Sequence, residues 1–198
     1  MRKNLFDGIG LSADRTFFPE IPESLSDCRK NTSPSIVSIR NETNQDIETA
    51  LAEACRRYDE LLRSLGGTDL QLLGIGRNGH IGFNEPGDTF IRNTHTVILA
   101  ENTRQANARF FSSIDDVPTR ACTMGIGGIF SAKKILLLAN GAQKAQALQA
   151  AFCGPVTPQV PASILQLHPD VTVIADEAAG QLLADGLSAR RKPTFAVL

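Results

Sequence analysis

Residues 74–86 read Gly-Ile-Gly-Arg-Asn-Gly-His-Ile-Gly-Phe-Asn-Glu-Pro, and they bring together an imidazole, a carboxylate and two side-chain amides. His80 carries the side chain best suited to move protons near neutral pH. Glu85 follows five residues later, near enough to hold the ring. Asn78 and Glu85 can each accept a hydrogen bond from an imidazole N–H, and a carboxylate beside such a ring fixes its tautomer. His80 therefore reads either as a general acid/base or as a loop histidine satisfying a backbone group. Gly74, Gly76, Gly79 and Gly82 punctuate the stretch, and glycines let backbone approach a ligand closely. The spacing is not the dinucleotide fingerprint, because the third glycine stands one position early, and the lysine and hydroxyl of a P-loop are absent. A tight turn explains Gly74-x-Gly76 equally well.

Two cations are candidates for holding an anion. Lys144 follows Gly141-Ala142-Gln143, where a strand hands over to a helix. Free N–H groups at a helix start favour an anion, while the helix dipole disfavours a lysine there. That misfit suggests a counter-anion; the alternative is a surface lysine. Arg109 precedes two phenylalanines on an expected helix over 102–111, and the alternative for it is a solvated helix face. His95 and His168 read as structural. His168 precedes Pro169 and closes a helix, and His95 lies in a strand without an obvious carboxylate partner. The three histidines show no metal-ligand spacing.

The elements that must position these groups follow from hydrophobic periodicity. Ile47, Leu51, Ala54, Tyr58, Leu61, Leu62 and Leu65 recur at helical spacing, with Asp46 as N-cap and Gly66-Gly67 as the stop. Residues 70–75 read as a buried strand too apolar to have a solvated face. Strands are expected over 94–99, 122–125, 134–139 and 171–175, and helices over 102–111, 129–132, 142–152 and 177–187. Residues 1–45 show no clear periodicity beyond a short extended piece over 35–39. This alternation predicts an α/β fold, a Rossmann-like three-layer sandwich with a mostly parallel sheet covered on both faces. Ligands of such sheets bind beyond the carboxyl ends of the strands, where both His80 and Gly141 fall. The expected organisation is an irregular segment over 1–45, an α/β domain over 46–187 and a tail over 188–198, with Arg190-Arg191-Lys192-Pro193 frayed.

The 198 residues, 42% hydrophobic and 21% charged, can bury a real core. A net charge of -1 supplies no field to attract nucleic acid or an acidic membrane, so neither is an expected partner. No segment approaches the about 18 consecutive apolar residues of a membrane span, and the N-terminus lacks the apolar core of a signal peptide. Cys28, Cys55, Cys122 and Cys153 are spread and form no C-x-x-C pair. They read as reduced thiols of a cytoplasmic protein.

Residues 73–86 resemble the signature of the glucosamine-6-phosphate deaminase family, also called glucosamine-6-phosphate isomerases. The likeness continues through Asn-Thr-Arg-Gln-Ala-Asn-Ala-Arg-Phe-Phe (102–111), Val117-Pro118, Thr-Met-Gly-Ile-Gly (123–127), Gly-Ala-Gln-Lys-Ala-Gln-Ala-Leu (141–148) and Pro-Ala-Ser-Ile-Leu-Gln-Leu-His (161–168). It covers roughly residues 46–177, in order. The wider superfamily includes 6-phosphogluconolactonases, but the Phe83-Asn84-Glu85-Pro86 ending is similar to the deaminase branch.

The resemblance implies an enzyme that opens an amino-sugar 6-phosphate ring, shifts the amine-bearing centre to a ketose, and yields fructose 6-phosphate and ammonia. It assigns ring-opening acid/base work to His80 and orientation of the ring to Glu85. Asn78 stands where many members carry an aspartate of the same relay, and it keeps the hydrogen bond without the charge. Arg109 and Lys144 align with residues that hold the substrate phosphate. No metal or organic cofactor is implied, and self-association into a homo-oligomer stays open. Members carry a first strand and a glycine/threonine-rich phosphate loop upstream of the equivalent of Met1, and an acidic base in an Asp-Glu context. Neither is found here, so the expectation is an N-terminally truncated family domain. Two alternatives follow: a non-catalytic sugar-phosphate sensor module, or a 6-phosphogluconolactonase-like hydrolase.

Overall fold

The computed structural model describes residues 17, 36–37, 44–99, 101, 104–105, 108–183 and 194–197. The chain divides into two compact units, one holding residues up to Leu61 together with His95–Cys122, the other holding Leu62–Thr94 and the residues from Thr123 onward. The frayed stretch expected over 190–193, most of the irregular segment over 1–45, and Cys28 lie outside the described residues.

In the first unit, β1 (Ile36–Val37) pairs antiparallel with β4 (Arg120–Thr123), with Ile36 opposite Ala121, and β3 (His95–Ile98) lies on the other side of β4. The helix α1 (Asn44–Ser64) turns Ile47, Leu51 and Cys55 to one face, where they pack with Cys122. This is the i, i+4, i+8 stripe of an amphipathic helix. Asp46 sits inside the first turn, two residues past the start of α1 rather than at its cap. The predicted stop holds. The Gly66 amide bonds the Arg63 carbonyl and the Gly67 amide bonds the Leu62 carbonyl, with φ of 86° and 88° at the two glycines. That is a Schellman closure, which left-handed glycines permit. Of the helix expected over 102–111, Arg104 and Gln105 are helical and Ala108–Phe110 forms a single 3-10 turn.

In the second unit, four strands run parallel in the order β2-β5-β6-β7: β2 (Leu70–Gly74), β5 (Lys134–Ala139), β6 (Val171–Ala175) and β7 (Thr194–Val197). Pairing is in register, with Leu73 opposite Leu137 and Leu137 opposite Val173. These three residues, with Ile135, Val171 and Ala175, point to the core. There they meet Leu148, Ala151 and Phe152 of α3 (Ala145–Cys153), Leu165 of the 3-10 helix Pro161–Leu167, and Ala179 of α4 (Glu177–Gly180). Phe152 and Phe195 meet edge-on at 5.5 Å, which ties β7 to α3. The short α2 (Ile126–Phe130) adds Ile126 and Ile129. The observed architecture is α/β with a mostly parallel sheet.

The helix expected over 177–187 closes at Gly180, the one expected over 129–132 lies at Ile126–Phe130, and the strand expected over 122–125 lies at Arg120–Thr123. Two further details differ from expectation. β7 lies beyond the last element anticipated, and its mixed Thr-Phe-Ala-Val sequence joins the sheet by pairing with β6. The strand β2 does have a solvated face: Leu70 and Leu72 are 54% and 55% exposed, and Leu138 of β5 is 43% exposed. Alternate strand residues face opposite ways, and the helices named above cover the Leu73 side.

Candidate active site

The parallel strands deliver two loops at their carboxyl ends. The first leaves β2 at Gly74 and doubles back twice. The Gly79 amide bonds the Gly76 carbonyl at 3.1 Å, and the Gly76 amide bonds the His80 carbonyl at 2.9 Å. A second turn follows, in which the Asn84 amide bonds the Ile81 carbonyl at 3.1 Å. Gly79 and Gly82 take φ of 84° and 59° at the two turns, values that side chains other than glycine rarely adopt. Ile81 is fully buried and roots the loop in the core.

Side chains and neighbouring backbone fasten this loop from outside. Asn84, 6% exposed, donates from Nδ2 to the Ile81 and Met124 carbonyls, both at 2.9 Å. The Phe83 amide donates to Thr123 Oγ1 at 3.0 Å, and the Ala162 amide donates to the Gly79 carbonyl at 2.9 Å. Gly76 has a separate reason to lack a side chain. A Cβ there would stand 2.3 Å from Cε1 and Nδ1 of His80, so the imidazole lies flat against the backbone of the first turn.

On this frame His80 Nδ1 lies 3.1 Å from Glu85 Oε1. Nδ1 is shielded from solvent, and the approach falls short of a well-aligned hydrogen bond. Glu85 is its ion-pairing neighbour, which leaves Nε2 as the nitrogen to present to a substrate. The other carboxylate oxygen, Glu85 Oε2, accepts from Asn78 Nδ2 at 2.7 Å, and Asn78 Oδ1 accepts from the His80 amide at 3.3 Å. Asn78 thus does not take a hydrogen bond from the imidazole, as the sequence allowed. It grips Glu85, and Glu85 faces the ring.

The second loop leaves β5 at Ala139. Gly141, with φ of 86°, opens a 3-10 turn (Ala142–Lys144) that runs into α3. The Lys144 amide bonds the Gly141 carbonyl at 3.0 Å, and Lys144 Nζ donates to the Ile75 carbonyl at 2.7 Å. The lysine therefore bridges the two loops and lies beside the His80 turn. Partial burial pushes its pKa below the ordinary lysine value, and the Arg77 guanidinium pushes it the same way. An anion beside Lys144 would offset both effects on its ammonium. Asp176, at the end of β6, accepts from the Gly141 amide with both oxygens, at 2.9 and 3.0 Å. It also caps α4 through the Ala179 amide at 2.8 Å.

His80, Glu85, Asn78 and Lys144 thus come together in one unit. Arg109 is exposed on the Ala108–Phe110 turn of the other unit. His168 is structural, as expected. Its Nδ1 accepts from the Asp170 amide at 3.1 Å, so Nε2 carries the proton it donates to the Ala132 carbonyl at 2.8 Å, and Phe130 meets the ring edge-on. His95 opens β3. Asn84, Thr123 and Asp176 were not anticipated. Only Asp176 had a local sequence signal, an aspartate just before a helix.

A model of the glucosamine-6-phosphate isomerases/6-phosphogluconolactonase family matches residues 13–174. The chain belongs to that family. Within it, the chain is 50% identical over 182 residues to a glucosamine-6-phosphate deaminase of Bacillus pumilus, covering 92% of this chain and 65% of the relative. It is 64% identical over 120 residues to one of Lachnoclostridium phytofermentans, covering 61% of this chain and 51% of the relative. The chain therefore spans between about half and two thirds of these relatives. The solved structure of a monomeric glucosamine-6-phosphate deaminase matches with 58% identity and a TM-score of 0.63, over 67% of this chain and 55% of that one. A 6-phosphogluconolactonase from Trypanosoma cruzi matches at 18% identity with a TM-score of 0.54, over 74% of this chain and 56% of that one, which is a likeness of fold alone.

Proposed function

We propose that this chain carries the ring-opening and phosphate-holding machinery of a glucosamine-6-phosphate deaminase, which converts an amino-sugar 6-phosphate and water to fructose 6-phosphate and ammonia. The carrying observation is the relay from Asn78 through Glu85 to His80 at the carboxyl end of β2. In this reading His80 Nε2 hands a proton to the ring oxygen as the sugar opens. The Glu85 carboxylate stabilises the imidazolium and holds the ring in place. Asn78 keeps Glu85 aimed without adding charge. Lys144 holds the 6-phosphate; the family resemblance assigns Arg109 the same task.

Residues 46–187 make up the sugar-phosphate part of the chain. His80, Glu85, Asn78 and Lys144 all come from one copy and one compact unit. The free thiols of Cys55, Cys122 and Cys153 and the class of substrate favour a cytoplasmic setting.

The test is ammonia release from glucosamine 6-phosphate, measured with this chain and with the full-length Bacillus pumilus relative carrying matched substitutions. His80→Ala is expected to lower turnover by at least about 100-fold. Unchanged turnover in that variant removes His80 from the mechanism. Hydrolysis of 6-phosphogluconolactone in place of ammonia release moves the chain to the lactonase reading.

A further inference from the structure

The mechanism proposed above leaves one half-buried connection unused. Asp176 stands at the end of β6, one strand away from the loop that carries Lys144. Both its oxygens accept from the Gly141 amide. The Gly141 carbonyl in turn accepts from the Lys144 amide, and Lys144 Nζ reaches the Ile75 carbonyl. The Gly76 amide, in the same peptide group as the Ile75 carbonyl, bonds the His80 carbonyl. Hydrogen bonds, joined by the covalent lengths of Gly141 and Lys144, thus connect the Asp176 carboxylate to the backbone of the histidine loop.

We propose that Asp176 is a positioning residue for substrate phosphate, fixing the Gly141 turn so that Lys144 stays beside the His80 loop. This rests on the reading of Lys144 as a phosphate ligand. Gly141 holds φ of 86° and ψ of 148°, a conformation open to glycine but rarely held without outside support. The carboxylate supplies that support by pulling the Gly141 N–H toward β6. Its oxygens are turned toward the amides of Gly141 and Ala179. A helix-capping aspartate needs only the Ala179 bond. The second and third bonds, across to a different loop, are what a cap alone does not require.

Two variants separate positioning from capping. Asp176→Asn keeps the shape but can turn an N–H toward the Gly141 amide. Asp176→Ser keeps an oxygen for Ala179 and is too short to hold Gly141 as well. Each is measured in the full chain by calorimetric titration with inorganic phosphate and with glucosamine 6-phosphate, and by amide exchange over residues 141–144 without ligand. The expected result is faster exchange at Gly141 and about tenfold weaker binding of both ligands in both variants, the size of one lost charge-assisted hydrogen bond. In turnover assays KM rises by a similar factor while kcat stays within about twofold, because the His80 relay is untouched. A merely structural residue would lower the apparent kcat through loss of folded protein and leave KM unchanged. Wild-type binding that persists unchanged in Asp176→Ser overturns the positioning role alone. A wild-type chain that binds neither phosphate nor sugar phosphate overturns the reading of Lys144, and the positioning role goes with it.

Discussion

Glu85 Oε1 stands 3.1 Å from His80 Nδ1, and the same carboxylate is held from its other side by Asn78. The five-residue separation is closed by two tight turns rather than by a helix. Asn78 Nδ2 bonds one carboxylate oxygen while the other faces the ring. Glu85→Gln removes the charge while keeping the size, and Glu85→Ala removes both. Turnover of glucosamine 6-phosphate is expected to fall by about 100-fold or more in each. Thermal stability should hold, because Glu85 is 38% exposed and serves the ring rather than the core. Equal turnover in wild type and Glu85→Gln would show that the carboxylate charge is idle.

Gly76→Ala tests the close approach of ring and backbone. A methyl at this position has 2.3 Å to the imidazole, so the ring must leave its place beside Glu85. The expected result is a loss of turnover approaching that of His80→Ala. In the double variant Gly76→Ala/His80→Ala the added methyl should cost no further stability in urea denaturation. Contacting residues couple in this way, and distant ones do not.

Asn84→Ala removes the Nδ2 donor shared by the Ile81 and Met124 carbonyls, while the backbone amide at position 84 still bonds Ile81. Losing two such hydrogen bonds costs about 1–3 kcal/mol, readable as a lower midpoint in urea denaturation with an unchanged slope. Asn84→Asp should cost more, since a carboxylate would face the Ile81 and Met124 carbonyls with no proton to share. A midpoint equal to that of wild type in Asn84→Asp argues that the loop re-routes its bonds.

Phosphate binding at Lys144 is expected to have an alkaline limit. Its pKa lies below the ordinary lysine value because burial, and then Arg77, disfavour the ammonium. Only the ammonium attracts phosphate, so affinity falls as pH rises through that lowered pKa, earlier than it would for a lysine in water. A bound dianion restores the proton, so binding in that interval takes protons up from the buffer. Calorimetry in buffers of different ionisation enthalpy reads that uptake directly. Arg77→Ala removes the second cause and should move the limit to higher pH.

Much of this arrangement is written locally. His80, Glu85 and the glycines fall within thirteen residues, and Lys144 betrays itself by sitting where a helix start disfavours it. The strands β5 and β6 match their expected bounds because Lys134–Ala139 and Val171–Ala175 are short apolar runs with clear ends. What stayed hidden depends on pairing across long separations. Thr123 meets Phe83 over forty residues, and Asp176 meets Gly141 over thirty-five; no periodicity encodes either. β7 was missed because Thr194–Val197 carries too little hydrophobic signal alone and owes its extended form to the neighbouring β6. The solvated face of β2 was missed because its run of leucines looks the same whether one side or both are covered.

Three bare leucines on one flank of the parallel strands have a practical meaning for anyone handling the purified chain. Leu70, Leu72 and Leu138 each leave over two fifths of their surface wet. Water released from such a flank rewards any greasy neighbour. Ammonium sulfate should bring the protein out of solution early, and mild non-ionic detergent should keep it dispersed.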